Sequence, residues 1–441
     1  MRIHRAFQKT NRYCCLLLLI GSFLSAYASE QTSNTLTLEA CVDVALDKNP
    51  YYRAILEGII AAGEAAQAAK AAYYPEVSFQ TGYRKFETHA FLPEGLSFPG
   101  LTTVVGPIDS YSLTVNAGYT LYDSGLRNAQ HQASLASKAA VEEYASRSHD
   151  EVIFAVHQSY YSLLAAQEGL SVARKNLRRS EEHLRLAETR KSVGAVPLAD
   201  VLRAKVEVSN AKLSVVQAES NVRVAQGNLN ASMGLPIETV LSPTPLDLKI
   251  EPFTLTDISK ALDHAINSRA DLKGSLKQIE ARRAQVAAAR SFFGPRVMAQ
   301  ASYGRLDSDF FPQDKDWAVG LVMQIPLFSY SRTHNLAKTR SELTQEELKH
   351  ESLALSIKQE VWTNVSRMQE AWESIRMAET LRQDATESLR LANERYAAGA
   401  GTITDLLDAE TNLARAELTY VQAVYNYRTA ISRLRKSMGD L

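Results

Sequence analysis

Two aspartates, Asp405 and Asp408, stand three positions apart in GAGTITDLLDAET, residues 399–411. On a helix that spacing puts both carboxylates on one face, where like charges repel by a few tenths of a kcal/mol. Chemistry at such a pair needs partners, and the chain supplies none beside it. Its nine histidines are scattered, with no H-E-x-x-H and no compact cluster with Cys or Asp. EEHLR around His183 reads as a solvated helix face. Asp123, Ser124 and Gly125 read as a turn rather than a nucleophile, and there is no glycine-rich phosphate loop. The chain thus offers no catalytic residue, no metal site and no cofactor site, and points away from an enzyme. A structural role for the pair is capping: aspartates in the first turns of a helix interact well with its dipole, and Thr402 with Asp405 fits a capping box.

The elements that would position this pair occur twice. GAVPLADVLRAKV begins at Gly194, 205 residues before its counterpart at Gly399. AAQAAKAAYYPEVSFQTGY around Pro75 is answered, at an offset of 220, by RAQVAAARSFFGPRVMAQASY around Pro295. Ser232-Met233-Gly234 and Ser437-Met438-Gly439 close the two copies, the glycine being a helix stop. The extra residues of the first copy fall in AFLPEGLSFPGLTTVVGPIDS, which reads as a long loop. Residues 1–28 are expected to be a signal peptide, 29–235 a first repeat, 236–254 a linker and 255–441 a second repeat. Each repeat should run short helix, strand, loop, strand, very long helix, tight turn, helix.

The signal assignment rests on a basic start, the apolar CCLLLLIGSFLS, and Ala26-Tyr27-Ala28 as a small-x-small cleavage site. That run is well short of the ~20 residues of a membrane-spanning helix. Removing its four basic residues leaves 45 basic against 49 acidic, which gives no reason to expect nucleic acid as a partner. Cys41 becomes the only cysteine, so no internal disulfide can form. Glu39 spoils the lipoprotein-like LEAC, and Cys41 is expected to carry no lipid.

In YSLTVNAGYTLY the residues Tyr111, Leu113, Val115, Ala117, Tyr119 and Leu121 alternate with Ser, Thr, Asn and Gly. Segments around Val77–Tyr83, Val297–Tyr303 and Trp317–Leu327 do much the same. Four strands of about ten residues suit tilted membrane strands with an apolar face to lipid and a small or polar face to a lumen. A half-buried soluble sheet would read alike, and the helices break the tie. Residues ~126–190 and ~332–398 run without proline for about 100 Å each at 1.5 Å per residue, and a soluble four-stranded sheet has no use for such rods. Shorter helices near 42–73 and 198–233, and near 255–291 and 404–438, sum in length to about one rod each, so two laid end to end can match a long one. Alanine-rich runs such as IIAAGEAAQAAKAA allow close, coiled-coil-like packing. Four strands leave two edges that lipid does not tolerate, so several copies must close one barrel. Three copies would give twelve strands.

LTLEACVDVALDKNP, AAYYPEVSFQTGY, LYDSGLRNAQ and the two G-x-x-x-x-x-D turns, in this order and mostly duplicated, resemble the TolC-like outer-membrane efflux channels over nearly the whole chain. LFSYSRTHN departs from the usual glycine pair at the second strand-to-helix exit. The resemblance implies a mixed α and β membrane protein: a homotrimer whose 12-stranded β-barrel, four strands per protomer, sits in the outer-membrane lipid and continues into a periplasmic α-helical coiled-coil barrel. It implies an export duct for small molecules or proteins that works with an inner-membrane pump and a periplasmic adaptor (membrane fusion) protein. By position, Asp405 and Asp408 match the acidic constriction at the periplasmic tip. Asp200 and Tyr396 match contacts between coils that gate it, and the turns at Gly194, Gly399 and Gly401 match the adaptor-docking tips. Gly401 stands where a basic gate residue is common; Arg190 or Lys191 could substitute, although both read first as solvated. The alternative is a periplasmic coiled-coil or adaptor protein, which would carry one helical hairpin flanked by small β domains rather than strands interrupting helices in two like halves.

Overall fold

The computed structural model describes residues 35–89, 104–245 and 257–441; the signal peptide expected at 1–28, much of the long loop and part of the linker lie outside these. In chain order the elements are β1 (Thr35–Leu36), α1 (Leu38–Lys48), α2 (Pro50–Ala71), β2 (Glu76–His89), β3 (Val104–Tyr122), α3 (Leu126–Ser192), α4 (Leu198–Met233), β4 (Ser242–Pro243), α5 (Ile258–Ser268), α6 (Ala270–Ser291), β5 (Arg296–Asp307), β6 (Lys315–Gln324), α7 (Tyr330–Ala397) and α8 (Ile403–Met438). The order from α1 to α4 recurs from α5 to α8 once β4 is set aside. The two rods, α3 and α7, have 67 and 68 residues, about 100 Å each.

The strands form one antiparallel sheet in the order β2-β3-β5-β6. β3 begins at Val104, so the end of the expected loop is strand. Alongside the helices the same plan continues. The first part of α3 packs between α2 and α6, with Gly63 against Lys138 and Gly274 against the Tyr144 ring. Its second part packs between α4 and α8, while α7 runs beside α6 and then α8. Among the described residues the chain is therefore a wall four elements wide at every level, with β2, α2 and α4 along one edge and β6 and α7 along the other.

The sequence reading of single short helices is corrected at two points. Asn49 and Arg269 both adopt extended backbone and divide α1 from α2 and α5 from α6. Pro50 explains the first break, since the residue before proline avoids helical geometry. Each break receives the end of a second helix: Asn49 Nδ2 donates to Ser232 O at 2.8 Å, and Arg269 Nη1 donates to Ser437 O at 3.2 Å. Helices laid end to end thus meet at Gly234 and Gly439, both left-handed at φ 71° and 82°.

A small parallel ladder of β1 with β4 was not expected from the sequence. The buried Tyr160 hydroxyl holds it by donating to Leu36 O and Thr244 O at 3.2 and 3.0 Å. Nearby, Cys41 is fully buried, and burial with Glu39 beside it pushes its thiol up to about 11. The strand-to-helix exits also differ. Ser124 (φ 55°) and Gly125 (φ 89°) turn the first through left-handed backbone, with Asp123 accepting from the Gly125 and Arg127 amides. The second enters α7 through an extended Ser329 with no side-chain cap.

Gly234 and Gly194 share φ 71°, but a methyl on Gly234 would sit 2.6 Å from Lys48 O and 2.7 Å from Asn49 Cα, whereas one on Gly194 meets nothing within 4 Å. Left-handed backbone costs a non-glycine residue ~1–2 kcal/mol, and overpacking adds ~1–3 kcal/mol. Gly234→Ala should therefore lower the thermal unfolding midpoint clearly more than Gly194→Ala does; equal shifts would mean that the end-to-end junction carries no strain.

Candidate functional site

Two regions have the makings of a functional surface: the sheet and the opposite ends of the long helices. Across the sheet, register aligns Phe79, Val115, Tyr303 and Trp317 in one row. At exposures of 68, 44, 63 and 67 %, they are left uncovered by the described residues. The neighbouring row, Ser78, Asn116, Ser302 and Ala318, lies on the opposite, small-residue face, which lines a concavity of about 600 Å³ with Gln300 and Gly320. Alternation thus separates an apolar face from a polar one. Among the described residues no helix is long and apolar enough to cross a membrane.

The helix tips are built on two left-handed glycines, Gly194 and Gly399, at φ 71° and 73° with open space around both. Gly401 has a different reason to be glycine: a Cβ there would lie 3.2 Å from Arg395 Cβ and Tyr396 N. A basic side chain cannot easily stand at that turn, and cations come instead from the other hairpin. Arg190 donates from Nη1 to Tyr396 O and from Nη2 to Ala397 O, both at 2.6 Å, capping the α7 C-terminus. Its guanidinium also sits 4.6 Å from the Tyr396 ring centroid. The solvated reading of Arg190 is thereby corrected. Arg203 lies 3.7 Å from Asp200 and donates to Thr404 Oγ1 at 3.5 Å. Asp200 and Tyr396, expected to tie the coils, share no hydrogen bond among the described residues; the buried Tyr396 hydroxyl makes no geometrically good hydrogen bond there, though the Arg190 guanidinium lies beside it. Burial raises its phenol above the usual value, with Arg190 acting in the opposite direction.

Asp405 completes the expected capping box, accepting from Thr402 N at 3.2 Å and Thr402 Oγ1 at 2.8 Å while its own amide donates to Thr402 Oγ1 at 3.1 Å. These bonds from Thr402 hold its carboxyl below the usual aspartate value. Asp405 and Asp408 are both exposed. They begin a longer stripe at alternating spacings of three and four: Asn412, Arg415, Thr419, Gln422 and Asn426 follow, all exposed, then Thr429, Arg433 and Lys436. Seven-residue periodicity in polar residues was the signal that could have revealed it.

Above the tip, α3 meets α8 through polar side chains. Glu410 is fully buried, 3.5 Å from Arg179 Nε and 3.1 Å from His183 Nε2, and Arg179 also reaches Glu417 at 3.1 Å. His183 is therefore no solvated residue; it is 8 % exposed. Asn176 Oδ1, Ser180 Oγ and both Glu410 oxygens lack hydrogen bonds among the described residues. The sequence hid this seam because its inward positions, Asn176, Ser180 and His183, are polar, and hydrophobic periodicity cannot mark polar positions as buried.

A family model described as outer membrane efflux protein matches residues 41–235 and 261–440. The pyoverdine export outer membrane protein OpmQ of Pseudomonas aeruginosa is 24% identical over 356 residues, 78% of this chain and 72% of its own length. The alkaline protease secretion protein AprF of the same organism is 26% identical over 346 residues, 76% and 70% of the two chains. Among solved structures, the outer-membrane channel OprN matches with a TM-score of 0.78 at 21% identity, covering 92% of this chain and 90% of that one. VceC of Vibrio cholerae matches with 0.75 at 20% identity, covering 91% and 96%. The fold is that of these channels.

Removing one member of a buried ion pair strands the other at ~3–5 kcal/mol, while replacing the whole set by apolar groups is often neutral or stabilising. Arg179→Met should therefore markedly lower the thermal midpoint, and Arg179→Met/His183→Leu/Glu410→Leu should recover it. A triple variant no more stable than the single one would show that Glu410 is not the stranded charge.

Proposed function

This chain belongs to the outer membrane efflux protein family, and from that premise we propose that it closes as a homotrimer into a 12-stranded barrel and a helical tunnel, gated at the periplasmic tip. It is an outer-membrane export duct, with its helical part in the periplasm, and not an enzyme. The relatives are named for different cargoes, pyoverdine in one and alkaline protease in another, so what they share is the duct. Cargo reaches it from an inner-membrane pump through a periplasmic adaptor, which docks on the tip turns at Gly194, Gly399 and Gly401. Residues 1–28 act as the export signal, and 29–235 and 255–441 are the two repeats joined by the linker 236–254.

One observation carries the assembly: the wall ends on unfilled edges at every level. β2 and β6 leave backbone groups unpaired, which hydrocarbon does not tolerate. Along α4 the side chains of Leu202, Val206, Leu213, Val216 and Val224 are more than half exposed, and along α7 so are Leu348, Leu355 and Trp362, seven residues apart. A second copy, rotated about a common axis, pairs β6 with β2 and lays the α7 stripe against α2 and α4. An adaptor-like alternative leaves the uncovered aromatic row of the sheet without a purpose.

In the trimer Asp405 and Asp408 supply six carboxylates to the constriction, a ring that favours cations. Arg190, Arg203, Asp200 and Tyr396 hold the second hairpin to the first and so keep the tip narrow.

In planar bilayers the purified protein should show small, cation-selective openings. Asp405→Ala/Asp408→Ala should remove the selectivity, and Arg190→Ala should enlarge the openings by freeing the α7 C-terminus. Chemical cross-linking in detergent should stop at three chains. A folded single chain that resists cross-linking and never conducts would end the duct reading; conduction unchanged in both variants would reduce these residues to helix caps.

A further inference from the structure

The polar stripe of α8 changes sign along its length. It begins with Asp405 and Asp408 and ends with Arg433 and Lys436, with Arg415 the only charge between them. At its far end, α3, α7 and α8 enclose a pocket of about 430 Å³ whose lining includes Phe154, Glu360, Asn364, Arg367, Arg433 and Lys436.

The charges of this pocket do not balance. Glu360, its one acid, is engaged by Arg269 Nη1 at 2.5 Å and lies 3.9 Å from Arg147 Nη2. Among the described residues no carboxylate lies within ion-pair distance of Arg367, Arg433 or Lys436. Arg433 and Lys436 both turn to the Phe154 ring, at 5.6 and 5.2 Å from its centroid. Favourable contact with the α8 C-terminus accounts for a cation in the last turn, but not for three converging on one cavity. Burial, and then Arg147, push the Lys436 ammonium below its usual value, while Glu151 and Glu360 act in the opposite direction.

We propose that this pocket binds a small soluble polyanion through its carboxylate or phosphate groups. Arg367 and Arg433 supply forked donors suited to such groups, Lys436 a point charge, and Phe154 a floor that holds both cations in place. Because the pocket continues the stripe that begins at Asp405, the anion site lies on the face that the constriction presents. Its meaning for transport rests on the duct reading: cargo that has passed an acidic ring meets a basic collar, where anionic groups are held. Binding itself needs no pore.

The test is calorimetric titration of the assembled, detergent-solubilised protein with citrate, and separately with inorganic phosphate, at low ionic strength, where such attraction is least screened. Wild type should show saturable binding. Arg433→Gln/Lys436→Gln should weaken it at least tenfold, and the exposed Arg367→Gln, which leaves the helix interfaces untouched, should weaken it in the same direction. Asp405→Asn/Asp408→Asn should leave it unchanged. Absence of saturable binding by wild type, or binding as tight as wild type by the Arg433/Lys436 and Arg367 variants, would overturn the site. Binding to dissociated chains but not to the trimer would overturn it too, because a neighbouring copy would then be the occupant. Saturable citrate binding by a protein that never conducts would remove the duct while leaving the pocket.

Discussion

Hydrocarbon offers no partner to a backbone amide, and that single fact governs how this chain is built. The sheet leaves β2 and β6 as open edges within one chain, and the proposed assembly fills each with the opposite edge of another copy. The consequence extends beyond the sheet. Because α3 and α7 run past every other helix as single rods, the sideways order set by β2-β3-β5-β6 is kept for the whole length of the wall. The helices inherit the open edges of the strands, which is why Leu202 to Val224 on α4 and Leu348 to Trp362 on α7 are left uncovered.

Two rods of nearly 70 residues cannot be matched by single partners that also leave room for a linker, and the chain answers with shorter helices joined end to end. The junctions need a residue with extended backbone on one side and a left-handed glycine on the other. Asn49 and Gly234 meet this need in the first half, Arg269 and Gly439 in the second. The two solutions differ chemically: Asn49 satisfies the amides of Tyr51 and Tyr52 with its own side chain, whereas Arg269 is locked by Asp271 and Glu360. The duplicated plan has tolerated different local chemistry because both residues do the same geometric task.

Much of this was legible in the sequence, for identifiable reasons. Period-two alternation marked the strands because one face of each is mostly apolar, with exceptions such as Thr81 and Arg305. Missing prolines marked the rods, and Thr402 with Asp405 marked the start of α8. What escaped notice was what hydrophobic periodicity cannot register. The break before Pro50 was hidden between two segments that are both helical. The β1–β4 ladder involves only two residues from each strand. Arg190 and His183 looked solvated because charged residues on a long helix usually are; their partners, the Tyr396 carbonyl and Glu410, lie 206 and 227 positions away.

The distribution of apolar and polar contacts along the α3–α8 seam bears on which part of the wall can move. Near the middle of the molecule the seam joins Val172, Tyr161, Val421 and Tyr425 in one buried cluster, whose separation exposes apolar surface at ~25 cal/mol per Å². Towards the tip it holds Asn176, Ser180, His183 and Glu410, several of whose polar atoms lack hydrogen bonds. Asn176 Oδ1 and Ser180 Oγ lose little on opening, because water satisfies groups that the closed seam leaves unsatisfied. Closure near the tip then depends on a few discrete contacts: the Arg179–Glu410–His183 cluster, Arg190 on the α7 carbonyls and Arg203 on Thr404. On the duct reading proposed above, such a wall would open from the tip while its apolar middle stays shut, and a partner docking at the tip would compete with those contacts.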